Sequence, residues 1–70
     1  MSLNEWRLEK AISYSELARR LGSRHATVVR RWCLHAGHKQ RMIPSVRYMH
    51  MIVELTRGSV TPTDFYRNAE

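Results

Sequence analysis

Arg24, Arg30 and Arg31 are the side chains of this sequence best suited to recognition chemistry. A guanidinium is a planar fork of donors that grips a phosphate, or the O6/N7 edge of guanine, through two parallel hydrogen bonds. The three arginines lie in a long stretch without counter-charge. No Asp or Glu occurs between Leu17 and Val53, whereas Arg19, Arg20, Arg24, Arg30, Arg31, Lys39, Arg41, Arg47 and all four histidines fall inside that window. The acids sit outside it, at Glu5, Glu9, Glu16, Glu54, Asp64 and Glu70. Cations gathered in this way on a small chain are the footprint of a phosphate-backbone binder. A merely solvated basic face has the same composition, so spacing has to decide.

A second cluster invites a different chemistry. Cys33, His35 and His38 read as Cys-x-His-x-x-His, with His50 as a fourth candidate ligand. Zinc takes such N and S donors, but a structural site closes a tetrahedron with four of them. On a continuing helix, positions 33 and 35 diverge by about 200° and cannot meet at one ion unless the helix ends early. A Cys–His nucleophile pair fails on the same geometry and has no orienting acid nearby. The expectation is therefore no metal, no cofactor, no catalytic residue and no enzymatic activity.

The elements that must position these residues read as helices throughout, with no alternating β-branched run to suggest a strand. Ser2-Leu3-Asn4-Glu5 is a capping box opening a first helix over 3–11. Ser13-Tyr14-Ser15-Glu16 repeats the pattern for a second helix over 14–21, which Gly22 can end in a left-handed conformation. A third helix is expected over 24–36, stopped by Ala36-Gly37, followed by a basic loop from His38 to Ile43. Pro44-Ser45 opens a fourth helix over 45–57, with Gly58 as its cap. Thr61-Pro62-Thr63-Asp64 imitates a capping box and opens a short fifth helix reaching Ala69. Leu3, Trp6, Leu8, Ile12 and Met42 read as core or staple residues.

Seventy residues support a single domain, 1–70, with too little chain for two cores. One cysteine excludes an internal disulfide framework and fits a reducing compartment. No long apolar run suggests a signal peptide or a membrane span. The net charge of +6 favours an anionic partner, nucleic acid or an anionic surface.

Spacing sharpens the choice. Ala18 is small enough for two helices to cross closely, Gly22 permits a tight turn four residues later, and Val28 can pack back from the next helix. These are the steric requirements of a helix–turn–helix. Here the chain resembles the small Cro-type helix–turn–helix repressors of phages, in particular the short YdaS-like branch. The matching residues are Ser15-Glu16-Leu17-Ala18-Arg19-Arg20-Leu21-Gly22, Thr27-Val28, Arg31-Trp32, Ile43-Pro44-Ser45 and Thr56-Arg57-Gly58-Ser59-Val60-Thr61. The resemblance covers roughly residues 3–66. It implies an all-α, compact five-helix λ-repressor-like bundle that binds operator DNA, usually as a dimer, and regulates transcription from the bacterial or phage-infected cytoplasm.

The match departs from the family pattern after Gly22, where Ser23 stands in place of an apolar residue and Trp32 comes one residue late. Two registers follow. Either Val28 is the inward anchor and Arg31 takes an apolar position, or the turn carries an extra residue and Val29 and Trp32 point inward. At 100° per residue, Trp32, Val28, Val29 and Ala36 share one side, while Thr27, Arg30 and Leu34 point away. That geometry favours the second register, and Arg30 is outward in both.

The start of a recognition helix reaches base edges in the major groove. Arg24, His25, Ala26, Thr27, Arg30 and Arg31 are the candidate base readers, with a phosphate contact as the alternative for each arginine. Ser13, Tyr14 and Ser15, with the amides at the start of helix two, are candidate phosphate donors, as are Lys39 and Arg41 in the basic loop. Helix four carries a narrow polar stripe of Arg47, His50, Glu54 and Arg57 and is apolar elsewhere. Such a helix is buried on several sides. It is either the central core helix or a contributor to a homodimer interface through Tyr48, Met51 and Leu55, helped by Phe65 and Tyr66. The leading expectation is a double-stranded DNA-binding repressor. The rivals are an antitoxin-like module with a protein partner, an activator touching RNA polymerase, and a nonspecific nucleic-acid binder.

Overall fold

Two helices start where a serine side chain takes up an unpaired backbone N–H, and in the computed structural model, which describes residues 1–66, the helix starts are mostly the expected ones. Helix α1 (Leu3–Glu9) opens with a complete capping box. The Ser2 hydroxyl accepts from the Glu5 N–H, and the Glu5 carboxylate accepts from the Ser2 N–H at 2.7 Å. Helix α2 (Tyr14–Arg20) has only half of its box. Ser13 Oγ accepts from the Glu16 N–H at 3.0 Å, but the Glu16 carboxylate turns toward Arg19 and Arg20. Helices α3 (Ala26–Cys33) and α4 (Val46–Leu55) start at His25 and Ser45 without a side-chain cap bond. Before α5 (Pro62–Tyr66), Asp64 reaches back and accepts from both the N–H and the hydroxyl of Thr61, at 2.8 and 3.1 Å.

Three helices end in the same way, with a left-handed residue and a pair of backbone bonds that absorb orphan carbonyls. After α2 the residue is Gly22, at φ +72, with Gly22 N–H donating to Arg19 and Ser23 N–H to Ala18. After α1 it is Ala11 at φ +56, with Ile12 N–H donating back to the Arg7 carbonyl. After α4 it is Arg57 at φ +53, one residue ahead of the expected cap Gly58, which is itself left-handed. Helix α4 therefore stops at Leu55 rather than 57.

Helix α3 is shorter than expected at both ends. Arg24 and His25 precede it, and Leu34 is already extended, at ψ +154. The reason lies in the following loop. In a continuing helix the Arg31 carbonyl would accept from residue 35; here it accepts from the N–H of Met42 at 3.2 Å. The returning basic loop thus takes the place of the next helical turn.

Among the described residues there is no strand. Leu17, Leu21, Val29, Ile52 and Val60 are fully buried, and Leu3, Trp6, Trp32, Met49 and Phe65 surround them. Helices α2 and α3 pack on each other, and α1 packs on α3. Ala18 is buried, as the close crossing requires. A Cβ at Gly22 would stand 3.7 Å from the Met51 methyl, so backbone conformation rather than space demands glycine there. Two core expectations fail. Leu8 and Met42 are exposed: Leu8 faces away from the Leu3–Trp6 side of α1, and Met42 lies at the edge of α3, its N–H on the Arg31 carbonyl and its sulfur 3.8 Å from Arg31 Nη1. The fifth helix was expected to reach Ala69, which lies outside the described residues.

Candidate nucleic-acid interface

Helix α3 presents two different faces. Val29 is 0% and Trp32 4% exposed, while Thr27 and Arg30 are exposed on the opposite side. Arg31 and Val28 are half-buried on the flanks. This is the register in which the turn after Gly22 carries one extra residue. Burying Val29 and Trp32 fixes the rotation of the helix, and that rotation leaves Arg30 outward.

The remaining base-reading candidates stand around this face. Ala26 is half-buried on the first turn, and Arg24 and His25 are exposed just before it. His25, the N-cap, with φ −122 and ψ +96, lies on extended backbone and is exposed. Arg31 is less free than Arg30. Its Nη1 lies 3.8 Å from the Met42 sulfur, and its Nε is buried without a partner.

The phosphate-donor candidates divide. Ser13 and Ser15 are exposed at the start of α2, and Ser13 accepts a bond through oxygen, leaving its own proton to donate. Tyr14 is half-buried beneath Arg7, whose guanidinium lies 4.1 Å above its ring. That arginine also bonds the Asn4 side chain and the Ile12 carbonyl, locking α1 to the start of α2. Lys39 is exposed beside α3. Arg41 is not: its Nη2 donates to the Phe65 carbonyl at 3.1 Å, and its Nε is buried. This bond ties the loop to α5.

Gln40 is a residue that sequence reasoning missed. Its Oε1 lies 3.5 Å from Arg30 Nη1, and its N–H donates to His38 Nδ1 at 3.0 Å. Only the path of the loop places it there, and no local pattern announces that path.

Charge within the basic window is unequally available. Glu16 holds Arg19 at 2.6 Å and Arg20 at 3.0 Å. Hydrogen bonds from Arg19 and then Arg20 keep the Glu16 carboxyl below its ordinary value, and the same contact raises Arg19. Arg24, Arg30, Arg31 and Lys39 have no ionic partner among the described residues.

The Cys/His cluster does not converge. Because α3 ends at Cys33, the helical divergence expected between positions 33 and 35 is not what separates them. Cys33 is buried, and burial pushes its thiol up to about 11 against a smaller opposing influence of Arg7, so it is protonated at neutral pH. His35 is exposed and His38 half-buried, their rings edge to face at 5.4 Å. No group of three or more His, Cys, Asp or Glu among the described residues is placed to hold a metal ion.

The residues expected at a dimer interface do not form one exposed patch. Tyr48 packs against Trp32, Met51 and Leu55 lie half-buried against the core, and Phe65 is 3% exposed. Phe65 faces inward because it is the apolar residue with which the short α5 closes the core. Only Tyr66 is open, at 67%.

Compared with known protein families, curated proteins and solved structures, the chain matches none. No helix among the described residues is long and apolar enough to cross a membrane.

Proposed function

We propose that the chain is a sequence-specific double-stranded DNA-binding regulator of transcription, a Cro-like repressor that acts by occupying operator DNA in the cytoplasm. The observation that carries this reading is the exposed Thr27–Arg30 face of α3, set opposite buried Val29 and Trp32. Helices α2 and α3, joined through left-handed Gly22, supply the two arms of a helix–turn–helix in a λ-repressor-like bundle. Arg30 reads a guanine edge, Thr27 a neighbouring base, and Arg24, His25, Ala26 and Arg31 flank them. Ser13, Ser15 and Lys39 hold the phosphates that set the helix in the groove.

With no acid in the window from Leu17 to Val53, no carboxylate on α3 or the basic loop repels the backbone, and Glu16, beside Ser15, is held by Arg19 and Arg20. The test is selection from a pool of random duplexes followed by sequencing of the bound fraction. A recovered motif that loses one guanine preference in Arg30→Ala supports the reading. Equal retention of all sequences by the wild-type chain sinks it.

A further inference from the structure

Among the described residues, Gln40 is the side chain that comes within hydrogen-bonding distance of Arg30, its Oε1 lying 3.5 Å from Nη1. The loop carries it there through bonds that involve neither of the two side chains. Met42 N–H donates to the Arg31 carbonyl at 3.2 Å, and Arg41 N–H to the His38 carbonyl at 3.1 Å. Gln40 N–H donates to His38 Nδ1 at 3.0 Å, and Arg41 Nη2 to the Phe65 carbonyl at 3.1 Å. The fold thus sets Gln40 at the edge of the exposed face, while the rotation of α3 that buries Val29 and Trp32 sets Arg30.

We propose that Gln40 is a positioning residue for base recognition: its carbonyl holds Arg30 Nη1, so that the Nε–Nη2 edge of the guanidinium is the one turned to a guanine. This role rests on the reading of α3 as a recognition helix. An arginine has only donors, so the amide oxygen of Gln40, not its nitrogen, must face it. Guanine takes two parallel N–H bonds at O6 and N7. With Nη1 occupied, Nε and Nη2 are the neighbouring pair of donors left to supply them. That the holder is a neutral amide matters as well. Arg30 has no ionic partner among the described residues, and no acid lies between Leu17 and Val53. A carboxylate at position 40 would grip the guanidinium more tightly and cancel its attraction to DNA. An amide holds it and leaves the charge whole.

The size of the effect follows from side-chain entropy. Arginine and glutamine are among the residues with most rotamer freedom to lose on ordering. Both side chains are exposed here, and no other hydrogen bond among the described residues fixes the Arg30 guanidinium. At 3.5 Å the contact is long in the free chain, and it strengthens when DNA displaces the water around it. Ordering one such side chain in advance recovers roughly two- to tenfold in affinity. The gain falls only on duplexes that present guanine to Arg30, so Gln40 acts on specificity rather than on general attachment.

The experiment measures the affinity of the full chain, at one salt concentration, for three duplexes. They are the duplex recovered by selection, the same duplex with the guanine whose preference is lost in Arg30→Ala replaced, and a scrambled duplex. In Gln40→Ala the ratio of the first two affinities falls roughly two- to tenfold, while the scrambled duplex changes by less than about twofold. Gln40→Glu keeps the oxygen acceptor. It returns the ratio to that of the wild type and lowers all three affinities alike through its charge. In an Arg30→Ala background, Gln40→Ala changes no affinity further. Both positions are exposed, so the variants are expected to fold, which melting curves check. A guanine preference lost in Arg30→Ala but kept in Gln40→Ala overturns the positioning role and leaves the recognition reading standing. A loss shared equally by the scrambled duplex overturns it too. So does a further loss on the selected duplex in the double variant, since Gln40 then makes a contact of its own. A wild type without guanine preference removes the recognition reading, and this role with it.

Discussion

The rings of Trp32 and Tyr48 meet at 5.2 Å between centroids, tilted by 48°, and form the joint between α3 and α4. Aromatic pairs at this separation contribute about 0.5–1.5 kcal/mol beyond the surface they bury. Removing the buried indole costs far more, about 3–5 kcal/mol for a Trp→Ala change. A chain of this length has only about 4–10 kcal/mol in total. Trp32→Ala is therefore expected to be largely unfolded near 37 °C, while Tyr48→Ala stays folded with a lower urea midpoint. An unchanged midpoint in Trp32→Ala would show that α3 is not anchored as described.

Ala11 and Arg57 occupy left-handed backbone that side chains adopt at a cost. The conformation costs about 1–2 kcal/mol relative to the right-handed one, partly offset by the extra freedom glycine has in the unfolded chain. Ala11→Gly and Arg57→Gly are each expected to stabilise by about 0.5–1 kcal/mol, and to raise the melting temperature by several degrees. Gly22→Ala is expected to lower it, through its φ and not through a clash, since the added methyl has room. Calorimetry on the three variants tests the sign in each case.

Acid should loosen the start of α5. Burial alone would raise the Asp64 carboxyl, but hydrogen bonds from the N–H and hydroxyl of Thr61, together with the Met1 ammonium 3.5 Å away, outweigh it, and the folded value lies below the ordinary one. A depressed folded pKa contributes stability that is complete above the unfolded carboxylate range and is lost as pH falls through the folded value. Asp64→Asn should therefore flatten the acid limb of a stability–pH curve measured between neutral pH and about 2. A limb as steep as in the wild type would assign the effect elsewhere.

Neighbouring cations should behave differently on DNA. Arg30→Ala is expected to weaken binding to the selected duplex by about 1–3 kcal/mol and relax one base position. Lys39→Ala should weaken all sequences alike. Arg41→Ala should act mainly on the fold, because its guanidinium holds the Phe65 carbonyl. Affinity measured on selected and scrambled duplexes, beside a melting curve for each variant, distinguishes the three.

These contrasts also mark what could be read from residue order. The rotation of α3 was legible because Val29 and Trp32 sit three apart on one side, and a helix has only one way to bury both. The turn at Gly22 was legible because glycine advertises left-handed backbone. Ala11 and Arg57 adopt the same conformation without any such sign. The length of α3 was hidden, since what ends it is a bond from Met42, eleven residues beyond the Arg31 carbonyl that accepts it. The same loop path separates Lys39 from Arg41 and brings Gln40 beside Arg30. Phe65 was misjudged because a helix as short as α5 has no period from which to tell its inner side.

The Glu16 fork has a consequence for how the molecule would release DNA. A bound cation frees condensed counterions, and log K falls with log salt in proportion to the phosphates neutralised. Twelve Lys and Arg residues suggest a steep dependence, but Glu16 already offsets one of the two charges on Arg19 and Arg20. If roughly three phosphates are neutralised on binding, the slope would be about −2.7, a loss of about 40-fold between 50 and 200 mM salt. On the proposed reading, Glu16 lowers the affinity for arbitrary sequence and shifts the burden of residence time onto base contacts.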